Sequence, residues 1–131
     1  MIIANWAGIK VFVTGGIGGV HRGAENTFDV SADLLEFAQS PVAVISSGAK
    51  SILDIEKTLN FLDSHGVNVI GYKQKTFPAF FVADSGFPSK MMCKNAMDVA
   101  EIVYRQFYEL NSNIGMIIGN PVPKEKEADG Q

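Results

Sequence analysis

Apolar residues along this chain follow two rhythms. Short dense runs, IKVFVT (residues 9–14), PVAVIS (41–46), VNVIGY (67–72) and GMIIG (115–119), have the length and β-branched content of buried strands. Between them, apolar positions recur at helical spacing. The stretch Ala32–Gln39 follows Ser31, whose hydroxyl suits an N-cap, and Pro41 stands just beyond its end. Ser51–Ser64 places Ile52, Ile55, Leu59 and Leu62 on one face, with Ser51 and Asp54 spaced as a capping box and Gly66 as the stop. Asn95–Leu110, capped by Asn95, carries Val99, Ile102, Val103 and Leu110. Residues 1–7 read as the end of a helix, with Ile2, Ile3 and Trp6 in phase and Gly8 closing it. A further strand is predicted over Phe77–Val82, confined to an edge by Pro78.

Buried strands alternating with helices predict an α/β fold: a mostly parallel or mixed central sheet with helices on both faces, in α-β-α layers. Residues 1–120 are expected to form a single domain, and the charged, proline-bounded stretch 121–131 a frayed tail. The 131 residues suffice for one domain with a real core, and 47% hydrophobic with 19% charged content is that of a globular chain. A net charge of −3 offers no basic surplus for nucleic acid or an acidic membrane surface. No apolar run is long enough to span a bilayer, and the N-terminus lacks the pattern of a signal peptide. Cys93 stands alone, which excludes an internal disulfide and fits a reducing compartment, so the expected location is cytoplasmic. As a lone cysteine it reads as a small buried hydrophobe without a chemical role.

In parallel sheets ligands sit beyond the carboxyl ends of the strands. The unusual residues of this chain fall there: a glycine-dense loop after the first strand, Gly48-Ala49-Lys50 after the second, and Asn120-Pro121 after the last. The loop, Thr14-Gly15-Gly16-Ile17-Gly18-Gly19-Val20-His21-Arg22-Gly23, lets backbone amides approach an anion, and His21 and Arg22 add donors. It is neither a Walker loop nor a dinucleotide fingerprint, because no Gly-Lys-Ser/Thr ends it and His21 occupies the third glycine position. A flexible connector is the plainer alternative. Asp29, Ser31 and Asp33 alternate, so an extended segment would show all three on one face. Their oxygens suit Mg²⁺ or Mn²⁺, and helix capping by Ser31 accounts for them equally well.

Lys50 lies between a buried strand and the helix expected from Ser51. At that junction the helix dipole and partial burial would both disfavour an ammonium and favour the free amine that attacks a carbonyl. A surface lysine beside a helix is the plain alternative. His65 is accounted for as a helix C-cap, and Phe77, Phe80 and Phe81 as packing. The sequence shows neither a Ser-His-Asp arrangement nor zinc-ligand spacing.

Four stretches taken together, VFVTGGIGGVHRGAENTFDVSADL (11–34), PVAVISSGAKSILD (41–54), GYKQKTFPAFF (71–81) and IIGNPVP (117–123), resemble the pseudouridine-5′-phosphate glycosidase family, also called indigoidine synthase A-like. The resemblance implies cleavage of the C–C bond between ribose and uracil in pseudouridine 5′-phosphate, giving uracil and ribose 5-phosphate. It implies that Lys50 forms an imine with the ring-opened sugar and that Asp29 is associated with a divalent metal, typically Mn²⁺. Ser31, Ala32 and Asp33 match a substrate-contacting stretch. Thr14, His21 and Arg22 in the loop, and Asn120 near the base, match further substrate contacts. A homo-oligomer, often a trimer, is also implied. The family's acidic proton donor and a substrate-binding lysine precede the part that matches Met1, and a C-terminal piece follows the part that matches Gln131. The resemblance thus leaves three readings: a glycosidase or its lysine-bearing part, an inactive domain that retains phosphate or sugar binding, and a fragment that works only with a partner chain.

Overall fold

The computed structural model describes residues 1–23, 30–50 and 53–127. In chain order the elements are α1 (Ile2–Trp6), β1 (Val11–Val13), β2 (Val20–His21), α2 (Ala32–Phe37), β3 (Ala43–Ser46), β4 (Leu53–Asp54), α3 (Ile55–Ser64), β5 (Asn68–Tyr72), β6 (Met91–Cys93), α4 (Ala96–Tyr104) and β7 (Met116–Gly119). Five strands form one sheet in the order β1-β3-β7-β5-β6, every neighbouring pair parallel. β2 and β4 make a separate two-stranded antiparallel ribbon.

Successive side chains on a strand point to opposite faces, and in β3, β5 and β7 both faces are buried. Val44, Val69 and Ile117 pack on one side with Leu34 and Phe37 of α2 and Ile55 and Leu62 of α3. Ala43, Ile70, Met116 and Ile118 pack on the other with Cys93 and Phe107, against which Val99, Ile102 and Val103 of α4 lean. Burial on two faces is why the strands read as continuous apolar runs. The α/β layering predicted from the alternation is what forms. Burial, reinforced by the Asp98 carboxylate, pushes the Cys93 thiol up, so it packs as a neutral group.

Three local predictions are corrected. The third helix begins at Ile55 rather than Ser51, because Leu53 and Asp54 are taken up by β4, which pairs with Val20 and His21. Asp54 alone caps it, accepting from the Lys57 N–H at 3.0 Å; Ser51 and Ile52 lie outside the described residues. Phe77–Val82 is no strand: Ala79 makes single bridges to Gly48 and Val82, and Phe80 turns the chain with a φ of +64°. The edge beside β5 is instead β6, whose Met-Met-Cys shows neither alternation nor β-branching. Beyond Tyr104 the helix widens into a π turn, Arg105–Glu109. That wider turn shifts the helical phase, so Phe107 is buried and Leu110 is 76% exposed. In the tail, Lys124–Lys126 form one tight turn, and the Ala83 N–H donates to Glu127 Oε1 at 2.6 Å. Among the described residues, no helix is long and apolar enough to cross a membrane.

Candidate functional site

All five sheet strands run the same way, so the residues following them line up along one edge. Thr14 follows β1, Ser47 follows β3 and Asn120 follows β7. The Thr14 N–H donates to the Ile45 carbonyl at 3.0 Å, and the Asn120 N–H to the Ser46 carbonyl at 2.8 Å. Adjacent strands lie about 4.8 Å apart, so Thr14 and Asn120 flank Ser47 on either side.

The glycine loop is knitted to the chain that leads into Lys50. The Ser47 N–H donates to the Gly15 carbonyl at 3.0 Å, and the Ile17 N–H to the Gly48 carbonyl at 3.1 Å. Ile17 also bridges to Ala49 in parallel fashion, and beyond it Val20 and His21 pair with Asp54 and Leu53. Lys50 therefore sits between two places where the loop is fastened. Its carbonyl accepts from the Leu53 N–H at 2.9 Å, and the residue is exposed.

A third segment closes over both. Gly48, at a φ of +95°, bridges to Ala79, and a Cβ there would collide with the Pro78 carbonyl. The Phe80 N–H donates to the Ser47 carbonyl at 2.8 Å. A Cβ on Gly16 would lie 2.6 Å from the Phe80 ring, so glycine is required for that close approach. Chain segments distant in sequence meet here largely through backbone.

The Ser31–Asp33 stretch fastens the far end of the loop. The Ser31 hydroxyl caps α2, accepting from the Asp33 N–H at 3.2 Å, while the Ser31 N–H donates to the Gly19 carbonyl at 3.0 Å. The Asp33 carboxylate accepts from the Gly18 N–H at 3.0 Å. The buried Thr58 hydroxyl accepts from the Val20 N–H at 3.0 Å and donates to the Asp54 carbonyl at 2.7 Å, which ties the loop to α3.

Thr14, the glycine loop, Lys50 and Asn120 thus come to one edge of the sheet, with Ser31 and Asp33 behind the loop. His21, Arg22, Ala32 and Asp33 are exposed. Asp29, the expected metal ligand, lies outside the described residues. Among the described residues, no group of three His, Cys, Asp or Glu side chains is placed to hold a metal ion. Neither the helix dipole nor the partial burial expected at Lys50 is found: α3 starts only at Ile55 with β4 before it, and Lys50 is exposed. Thr58 and Phe80 were not singled out from the sequence as site residues. Thr58 reads as an ordinary helix residue, and nothing in FPAFF marks which Phe turns the chain.

An open cavity of about 660 Å³ borders this site between α1, β1 and α2, lined by Ile3, Trp6, Phe12 and Phe37 and reaching Thr14 and Asp33.

The model of the family described as indigoidine synthase A like protein matches residues 1–131. The chain is 51% identical over 127 residues to the pseudouridine-5′-phosphate glycosidase of Glaesserella parasuis serovar 5, covering 97% of this chain and 42% of that protein. It is 52% identical over 131 residues to the enzyme of the same name from Sorangium cellulosum, covering 100% of this chain and 41% of that protein. Among solved structures it is similar to the prealnumycin C-glycosynthase AlnA in complex with ribulose 5-phosphate, with a TM-score of 0.92 at 36% identity, covering 98% of this chain and 42% of that one. An indigoidine synthase A-like protein from Thermotoga maritima gives a TM-score of 0.88 at 38% identity, with the same coverage. The chain spans about two fifths of the length of the curated relatives it matches.

Proposed function

The chain belongs to the indigoidine synthase A-like family, and we propose that it carries the lysine-bearing part of an enzyme cleaving pseudouridine 5′-phosphate to uracil and ribose 5-phosphate. The observation that carries this reading is the meeting of the glycine loop, the Lys50 segment and Asn120 at one sheet edge, in a chain half identical to such glycosidases. The neighbour complexed with ribulose 5-phosphate supports a phosphorylated pentose as ligand.

A C–C glycosidic bond has no leaving-group oxygen to protonate, so the paired-carboxylate route of ordinary glycosidases does not suffice. An amine nucleophile does. Lys50 Nζ bonds to the sugar C1′ as the C1′–O4′ bond opens, and a proton passes from the nitrogen to O4′. The nitrogen lone pair then forms a C=N bond as the C–C bond to uracil breaks, and uracil C5 keeps that electron pair and takes up a proton. Water adds to the imine and releases ribose 5-phosphate and the free amine. Amides of the glycine loop, with Thr14, His21, Arg22, Ser31, Ala32, Asp33 and Asn120, hold the phosphosugar. The reading includes Mn²⁺ held by Asp29, whose hard carboxylate oxygen suits it, and assembly into a homotrimer. Equilibrium dialysis of Asp29→Asn and light scattering check these two.

The decisive experiment incubates the chain with ribose 5-phosphate and borohydride, whose hydride reduces the imine to a stable secondary amine. Mass spectrometry should find the adduct on Lys50 and none in Lys50→Arg. A folded sample with no adduct, or with one spread over surface lysines, would sink the imine role for this chain on its own.

A partner-dependent fragment is favoured by one separate observation: β1 is an open, apolar sheet edge in a chain two fifths as long as its relatives. In that case Lys50 is trapped only after the remaining part of the Glaesserella parasuis protein is added as a second chain.

A further inference from the structure

Phe80 has no part in the chemistry above, yet it stands where the glycine loop and the Lys50 segment meet. Its φ of +64° is a left-handed conformation that residues with a bulky side chain rarely adopt. Such outliers persist only where the surroundings over-determine them, and they cluster at functional sites. Among the described residues two other non-glycine residues share the conformation, Lys73 and Asn111, and both are exposed and polar. Phe80 is held from several sides. Its N–H donates to the Ser47 carbonyl at 2.8 Å, and flanking bonds from the Ala79 N–H to Val82 and from the Phe81 N–H to Ala79 keep the turn tight. Its ring meets Phe81 edge-on at 4.5 Å and lies against Gly15 and Gly16.

Gly15 and Gly16 have no side chains with which to anchor themselves, and glycine has the most conformational freedom to lose. The ring fills the space their side chains would need. We propose that Phe80 is a positioning residue: its ring presses Gly15-Gly16 against the Ser47-Gly48 turn, and so sets the anion-binding loop relative to Lys50. This rests on the glycosidase reading, in which Lys50 is the nucleophile. Misplacing a reacting group by about an ångström lowers rates by up to about 100-fold, so a loosened loop should be visible in the rate of imine formation.

The test separates ring from backbone. Phe80→Gly keeps the left-handed turn without strain and deletes the ring, and Phe80→Tyr restores the ring. Two readouts are compared with wild type: hydrogen exchange of the Ile17 and Ser47 amides, which bond to the Gly48 and Gly15 carbonyls, and the limiting rate of borohydride trapping at Lys50 across ribose 5-phosphate concentrations. In Phe80→Gly, exchange at these amides should rise about tenfold, β3 and β7 should keep their protection, and the limiting trapping rate should fall about tenfold. Phe80→Tyr should return both to within about twofold of wild type. Unchanged exchange in Phe80→Gly overturns the clamp, and so does loss of protection throughout the sheet, which would mean a general folding role. Loosened amides with an unchanged trapping rate overturn the link to Lys50. If wild type itself traps no sugar, the glycosidase reading fails separately, and exchange alone decides whether the ring clamps the loop.

Discussion

Two regions on either side of β1 are built on opposite principles. At the carboxyl edge of the sheet, the loop and the Lys50 and Pro78–Phe80 segments are joined by backbone hydrogen bonds of 2.8–3.1 Å and by approaches that leave no room for a Cβ. Along the flank formed by α1 and β1, apolar side chains face outward: Ile3 is 77%, Trp6 81% and Val13 70% exposed. The first region is held together by contacts between segments of this chain. The second is what a sheet shows where another strand would pair, an end strand with an uncovered apolar face. The loop is therefore positioned by this chain's own segments, while its flank exposes apolar surface.

The sharpest way to break the site half of that comparison is Gly48→Val. It forces a branched side chain into a φ of +95° and against the Pro78 carbonyl, so a cost of at least ~3 kcal/mol is expected in urea unfolding. Next comes Thr58→Val, which keeps the volume but strands the buried Val20 N–H, for an expected loss of ~1–3 kcal/mol. Gly86→Ala serves as the contrast. Its φ is +82°, but among the described residues no atom lies within 4 Å of the added Cβ, so only the backbone penalty of ~1 kcal/mol should appear. A site without close packing would instead make the two glycine variants equal. The smallest effect is expected on the flank. Val13→Lys should change stability by less than ~0.5 kcal/mol and lower self-association in sedimentation velocity, because a charge blunts an open edge. A loss of several kcal/mol there would show that the flank already packs within this chain.

Much of the fold was legible because its cause is local. Four dense runs mark β1, β3, β5 and β7, and capping residues such as Ser31 and Asn95 mark helix starts whose side chains do accept the expected amides. The third helix was misplaced at its start because β4 owes its existence to Val20 and His21, some thirty residues earlier in the chain. β6 escaped notice because Met91–Cys93 is held by its register with Ile70–Tyr72 rather than by any pattern of its own. At the carboxyl edge, the placing of the glycine loop, Lys50 and Asn120 just beyond strand ends was legible in advance. The contacts that hold them there were not.

The sequence by itself determined the α/β class, the carboxyl-edge location of the unusual residues and the family resemblance, because periodicity and motif spacing are properties of neighbouring positions. Only the tertiary structure decided that Gly48 must yield to Pro78, that Phe80 rather than Phe77 or Phe81 covers the diglycine, and that β1 is left as an edge. These depend on which distant segments meet, and a backbone contact leaves no signature in the residues that make it beyond the absence of a side chain.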